Sequence, residues 1–366
     1  LRIAFTIPTL FGGGAERVVS IMASHWAAKG WDITVITYDD GSRPPSYDLD
    51  HRVKVLPLGV LSNSGGFVKG LKNNLTRIRR MRMSLLTIKP ECVLSFMFPT
   101  HVIPLLAARC ARLPVVIAER SYPPSIRFRR KAWYVLRALT IPFASRIVVQ
   151  TCAMRDYYAP RSGQMPIIIP NPMSSELPEV SRDRKPSTNG TFFTVGRLAP
   201  EKRIDLLLRA FAKVCTHNEA RLVILGEGPL RPDLERVAAD LGISDRVNMP
   251  GRIKDPWDCP AAADIFVLSS EFEGFPNALV EAMACGLAVI SFDCPAGPRE
   301  IISDGVDGIL VPPLDVEALA EKMEMLFRDR EKRLALGLKA TEVRERFAVE
   351  NIMDRWEQVL AEIGKR

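Results

Sequence analysis

The stretch TFFTVGRLAPEKRIDLLLRAF, residues 191–211, decides the architecture. Five strand-favouring residues run into Gly196, and a short turn carries Arg197, Pro200 and Lys202. From near Arg203 apolar residues recur at helical spacing. This is a buried strand, a tight turn and a helix, the repeating unit of a parallel α/β sheet. The same alternation continues downstream, with RLVILG, RVNMPG, IFVLSS, LAVIS and GILVP reading as strands. Upstream, IAFTIP, ITVITY, VKVLPL, CVLSF, PVVIAE, RIVVQT and PIIIPNP form a second set. Between the sets lies MSSELPEVSRDRKPSTNG, too polar to build a core and read as a linker.

With 366 residues, 47% of them hydrophobic, the chain exceeds what one core normally supports. Two Rossmann-like, doubly wound domains facing a central cleft are therefore expected, over 1–172 and 191–348, with the linker at 173–190. A closing helix is expected at 349–366, where Ile352, Trp356, Val359, Leu360 and Ile363 share a face that must pack on something. No run of about 18 uncharged apolar residues occurs, and LRIAFTIP reads as a strand rather than a signal segment. A chain that neither spans a membrane nor is exported is expected. Seven scattered cysteines without a CxxC pair, and four dispersed histidines, read as reduced packing residues and give no metal set.

The net charge of +8 is unevenly spread, since residues 1–170 hold 24 Lys/Arg against 9 Asp/Glu. From 51 to 150 the only acids are Glu91 and Glu119. The first half should therefore favour an anionic partner: nucleic acid, an anionic membrane surface or a phosphorylated substrate.

Ligands of open parallel sheets bind at the carboxyl ends of strands, beside helix N-termini. Three loops belong there. In Gly12-Gly13-Gly14-Ala15-Glu16-Arg17 the glycines let backbone approach a phosphate; with Asp39-Asp40 closing the second strand, a dinucleotide reading stays open on this loop alone. In Gly196-Arg197-Leu198-Ala199-Pro200-Glu201-Lys202 two cations flank a turn and can neutralise a departing diphosphate. In the run SEFEGFPNALVE, 270–281, Pro276 is placed at a first helical turn. The N–H groups of Asn277, Ala278 and Leu279 are then open to an anion, with Glu281 one turn on. Acids beside a phosphate site suit sugar and ribose hydroxyls.

The run EFEGFPNALVEAMACG resembles the EX7E motif of family 4 glycosyltransferases, with Glu273 and Glu281 as its acids, and VGRLAPEKRIDLLLRAF, LGEGPL and GPREIISDGVDGILVPP are similar to that family too. The chain resembles especially the bacterial PglH-like enzymes that add N-acetylhexosamines to polyprenyl-diphosphate-linked oligosaccharides. The resemblance implies a GT-B fold whose terminal helix crosses back to the first domain, and a retaining hexosyltransferase that needs no metal or other cofactor. It implies that Arg197 and Lys202 bind the diphosphate of a UDP-sugar (UDP-GalNAc or UDP-GlcNAc), Glu281 the ribose and Glu273 the hexose. Gly196 and the backbone at Phe275, Pro276, Asn277, Ala278 and Leu279 meet phosphate and sugar, Arg252 and Ile253 the base, and Gly13 and Gly14 close the donor site. Many members carry a His after the strand corresponding to PVVIAE, where this chain has Arg120. Arg120 is not a base at neutral pH and is assigned to anionic groups. His101, a lone histidine after SFMFPT, reads as structural.

The acceptor side is assigned to the basic half. Residues 66–89 form an expected helix with Phe67, Leu71, Leu75, Ile78, Met81 and Leu85 on one face. Lys69, Lys72, Arg77, Arg79, Arg80 and Arg82, with Arg127, Arg129, Arg130 and Lys131, fit an anionic membrane or the acceptor's diphosphate. A peripheral position on the inner face of the cytoplasmic membrane follows. The rival readings are an epimerase of the same architecture and a transferase with a soluble acceptor; nucleic-acid binding leaves the second half unexplained.

Overall fold

The structure is a computed structural model that describes residues 1–61, 67–97, 100–109, 111–125, 132–174, 177–178, 190–253, 256–257 and 264–364. Contacts divide the chain into two compact units, Leu1–Pro172 with Glu350–Arg366, and Met173–Val349.

In the first unit the strands are β1 (Arg2–Ile7), β2 (Asp32–Thr37), β3 (Lys54–Pro57), β4 (Cys92–Phe96), β5 (Val115–Ala118), β6 (Arg146–Val149) and β7 (Ile167–Ile168). They make one parallel sheet ordered β3-β2-β1-β4-β5-β6-β7, with Ile3 paired to Ile33 on one side and to Cys92 on the other. In the second unit β8 (Thr191–Val195), β9 (Arg221–Leu225), β10 (Val247–Gly251), β11 (Ile265–Leu268), β12 (Ala288–Phe292) and β13 (Ile309–Val311) are ordered β10-β9-β8-β11-β12-β13, again parallel. The sequence order reverses between β1 and β4, and between β8 and β11. These are the topological switch points, where loops diverge and leave a crevice.

Strands buried on both faces must be largely apolar, and β4, β5, β11 and β12, buried at every position, are so except for Ser95 and Ser291. Phe192, Phe211, Leu207, Leu222 and Met323 lie in the core of the second unit, and Ala4, Ile36, Val93, Ile117 and Ile147 in that of the first. Side chains cap several helices: Asp315 accepts from Ala318 N (2.9 Å) and Asp329 from Lys332 N (2.9 Å).

The terminal helix Val349–Gly364 belongs to the first unit. Its Trp356 is fully buried 6.5 Å from the Phe96 ring, and Glu357 accepts from Trp26 Nε1 (3.1 Å) and Lys29 Nζ (2.7 Å). Most of 173–190 lies outside the described residues; Met173 N donates to Phe347 O within the second unit (2.9 Å).

The helix Phe67–Ile88 departs from its expected face. Met81 and Leu85 are fully buried, but Leu75 is exposed. Met81, Leu85 and the partly buried Ile78 meet the core formed with Leu58, Val60 and Ile103, whereas the side chains of Phe67 and Leu71 lie outside the described residues.

Candidate active site

In the second unit five loops at the carboxyl ends of neighbouring strands are tied together. Gly196 N donates to Leu225 O (2.9 Å), Leu198 N to Glu227 O (3.0 Å) and Gly226 N to Gly251 O (2.9 Å). Gly226 has φ +140° and Gly228 crosses just as closely, so a Cβ on either would collide with the backbone of Gly196 or Leu198. Across the switch point, Glu271 N donates to Glu201 O (2.9 Å) and Ser269 Oγ to Lys202 O (2.9 Å). Gly297, after β12, has φ +98° and lies against Pro276.

These ties hold the charged groups. After β8 the chain makes one 3-10 turn, Pro200–Lys202, before the helix Ile204–Cys215 begins. That turn brings Lys202 Nζ to Glu273 Oε1 at 2.6 Å, and Ser270 Oγ donates to the same oxygen (2.7 Å). Arg197 pairs with Glu201, one of several ion pairs on the exposed rim. Both cations expected to meet a diphosphate thus already hold carboxylates, and a dianion entering here would have to exchange with them.

Glu281 is buried, and its Oε2 accepts from Trp257 Nε1 (2.8 Å). Trp257 rests on the sheet, 5.9 Å from the Phe193 ring. The helix Asn277–Ala284 starts one residue later than expected, with Pro276 as its N-cap. The Leu279 N–H bonds Pro276 O (3.0 Å) and its side chain is buried, so the expectation of an open N–H at Leu279 is corrected: the first helical turn closes on its own cap. Phe275 packs edge-on against Phe347, while Ala278 lies within the opening turn. Arg252 and Ile253 follow β10 on the exposed surface. Cys294 is an un-ionised thiol, pushed up to about 12 by burial and then by the Glu273 charge.

In the first unit Gly13 is the N-cap and Gly14 the first residue of the helix Gly14–Ala28, and Gly12 takes φ 64°. Glu16 folds back so that its carboxylate covers Gly13, and burial raises its pKa. At the end of β2, Asp39 Oδ1 accepts from Thr37 Oγ1 (2.7 Å). At the end of β5 Arg120 is buried between the rings of Phe96 (4.8 Å) and Trp356 (5.6 Å), and Nη1 donates to Asn171 Oδ1 (2.7 Å). Its Nε and Nη2 are enclosed without a partner. Burial lowers its pKa to about 9 against the pull of Glu119, which leaves a cation at neutral pH. Glu119 itself accepts from Tyr158 Oη and pairs with Arg137 (3.8 Å).

His101 Nδ1 lies 2.8 Å from Ser95 Oγ in the buried interior. Burial, then the charges of Arg137 and Arg120, bring its pKa down to about 3 from 6.5. The unfolded chain therefore takes up this proton first as pH falls. The stabilising contribution is complete above pH ~6.5 and declines by about 1.4 kcal/mol per unit toward pH ~3. Thermal unfolding of His101→Asn should lose that part of the acid slope; an unchanged slope would place the effect elsewhere.

Of the expected acceptor cations, Lys72, Arg79 and Arg82 are exposed on the helix Phe67–Ile88. Arg77 Nε donates to Val60 O (3.0 Å) and Arg80 Nη1 to Leu58 O (2.6 Å), so these two brace the loop after β3. The side chains of Lys69, Arg127, Arg129, Arg130 and Lys131 lie outside the described residues.

The family model "Glycosyl transferase 4-like domain" matches residues 13–172 and "Glycosyl transferases group 1" matches 179–343, so that together they cover every strand but β1. The chain is a family 4 glycosyltransferase. The transferase is 27% identical over 365 residues to a Campylobacter jejuni protein, covering 99% of both chains. That relative is named GalNAc-alpha-(1->4)-GalNAc-alpha-(1->3)-diNAcBac-PP-undecaprenol alpha-1,4-N-acetyl-D-galactosaminyltransferase. It is 29% identical to an exopolysaccharide phosphotransferase of Streptomyces coelicolor, spanning 97% of the transferase but only 40% of that protein. Its fold matches sucrose-phosphate synthase from Thermosynechococcus elongatus with a TM-score of 0.83 at 19% identity, over 99% of this chain and 98% of that one. The fold is thus GT-B, two Rossmann-like domains each with a parallel sheet. No helix among the described residues is long and apolar enough to cross a membrane.

Proposed function

We propose that the transferase moves an N-acetylhexosamine from a UDP-sugar to a polyprenyl-diphosphate-linked glycan at an anionic membrane surface, retaining the α configuration and using no metal. The observation that carries this reading is the Lys202–Glu273 pair, 2.6 Å apart across the β8–β11 switch point. A diphosphate draws Lys202 away from Glu273, and Arg197 away from Glu201. The freed Glu273 carboxylate then accepts from hexose hydroxyls, so donor binding assembles both halves of the site at once. Glu281, steadied by Trp257, accepts from the ribose.

The acceptor hydroxyl attacks the anomeric carbon on the face that the diphosphate leaves. The bond from that carbon to the phosphate oxygen breaks, the bond to the acceptor oxygen forms, and the hydroxyl proton passes to the departing phosphate. The two cations stabilise the charge that grows on the leaving group, the part a metal ion plays elsewhere. The name of the Campylobacter relative supports the acceptor class. Exposed Lys72, Arg79 and Arg82 supply positive charge suited to an acceptor diphosphate or an anionic surface.

The test offers UDP-GalNAc, UDP-GlcNAc and UDP-glucose with a polyprenyl-diphosphate disaccharide in liposomes, with and without EDTA, read by mass. One N-acetylhexosamine increment, undiminished by EDTA, is expected. No increment from any donor refutes the substrate assignment, and activity that EDTA abolishes and magnesium restores refutes metal independence.

A further inference from the structure

The helix Ala132–Thr140, between β5 and β6, is turned inside out. Its cation Arg137 is only 5% exposed and points inward to Tyr158 and Glu119. Several of its apolar residues are exposed: Val135 is 59% and Leu139 63% exposed, with Tyr134 also exposed and Phe143 continuing the patch in the next turn, Ile141–Phe143. At roughly 100° per residue, Val135 and Leu139 lie about 40° apart and Arg137 on the opposite side, with Tyr134 at the flank. A helix meeting only water on its outer side has the opposite arrangement, and grouped exposed apolar residues mark an interaction surface.

Cations lie beside this patch. Arg109 is exposed with its guanidinium 3.9 Å from the Phe143 ring centre, and Arg112 is exposed on the turn that follows. Between residues 92 and 155 the only acid is Glu119, which is fully buried. In sequence, Arg127, Arg129, Arg130 and Lys131 immediately precede the helix.

We propose that Tyr134, Val135, Leu139 and Phe143 insert into the headgroup boundary of an anionic bilayer, with Arg109 and Arg112 reaching lipid phosphates. Exposed apolar residues with cations beside them match a surface that is apolar within and negative at its rim. Choosing a lipid as occupant rests on the lipid-linked acceptor proposed above. Arg109 and Arg112 come just before β5, and Phe143 just before β6, so the patch lies toward the amino ends of these parallel strands.

Cosedimentation with phosphatidylcholine vesicles, with and without phosphatidylglycerol, tests the inference. The wild type is expected to bind only the anionic vesicles. The pair Val135→Asp with Leu139→Asp should weaken binding about tenfold or more, and Val135→Ser with Leu139→Ser less but in the same direction. Both should keep the wild-type Tm and the wild-type transfer to detergent-dispersed acceptor. Leu338→Asp, 73% exposed in the second unit, should bind as wild type. Wild-type binding by the aspartate pair, or no binding of the wild type to anionic vesicles, overturns the proposal. Failure to use polyprenyl-diphosphate acceptors in detergent, with vesicle binding and its loss intact, sinks the acceptor reading instead.

Discussion

Lys202→Ala is expected to lower kcat by about 10²- to 10³-fold, the usual consequence of deleting a donor aimed at charge that grows in the transition state. Glu281→Gln should act differently, raising donor KM about tenfold with kcat largely kept, because a ribose contact is the same in ground and transition states. Glutamine can still accept from Trp257, so the indole that holds position 281 is not stranded. Arg197→Ala should lower kcat less than Lys202→Ala, since its side chain is 70% exposed and its charge is partly screened. Removing Lys202 also strips Glu273 of its cation, and a double-mutant cycle with Glu273→Gln separates that loss from the catalytic one. Steady-state kinetics with varied donor decide the matter. A KM effect at Lys202 with a kcat effect at Glu281 would reverse both roles.

Gly226→Ala should be the most damaging conservative change in the second unit. The new methyl would meet Gly196 O, and Gly226 holds a φ of +140° that L-residues rarely adopt. Both partners are backbone, and neither can yield without breaking the bonds that join 196–198 to 225–227. Overpacking and conformational strain together cost about 3–5 kcal/mol, which lowers Tm by roughly 10 °C. Gly163→Ala is the control, since nothing lies within 4 Å of its added Cβ and only the left-handed φ of 71° is strained. That change should cost about 1–2 kcal/mol. Equal Tm losses for the two would mean that the close crossing at Gly226 does not matter.

The fold was legible because a parallel sheet buries both faces of its strands: each apolar run of the sequence became a strand, and the Gly196 and Ser270 loops fell beside a switch point. Other features were not legible, for identifiable reasons. The period that places Leu75 with Met81 names a helix face but not how far the core extends along it. Trp257 meets Glu281 through tertiary packing, and nothing in the sequence around either residue announces the other. Arg77 and Arg80 read as surface cations until the loop after β3 supplied carbonyls for them. Likewise Arg137 faces inward only because Glu119 and Tyr158 wait there. Arg120 was singled out by departure from a family pattern, whereas its enclosure by Phe96 and Trp356 required the terminal helix to return.

That return has a consequence for biosynthesis. Trp356 fills space beside Phe96 in the first unit, yet it leaves the ribosome only after all of 173–349. At typical elongation rates the nascent first unit waits on the order of ten seconds or longer for its last helix. During that interval the second unit can complete itself, while Phe96 and the indole of Trp26 lack their final partners. The domain encoded first is therefore the one finished last, and chaperone dependence during synthesis should fall on it.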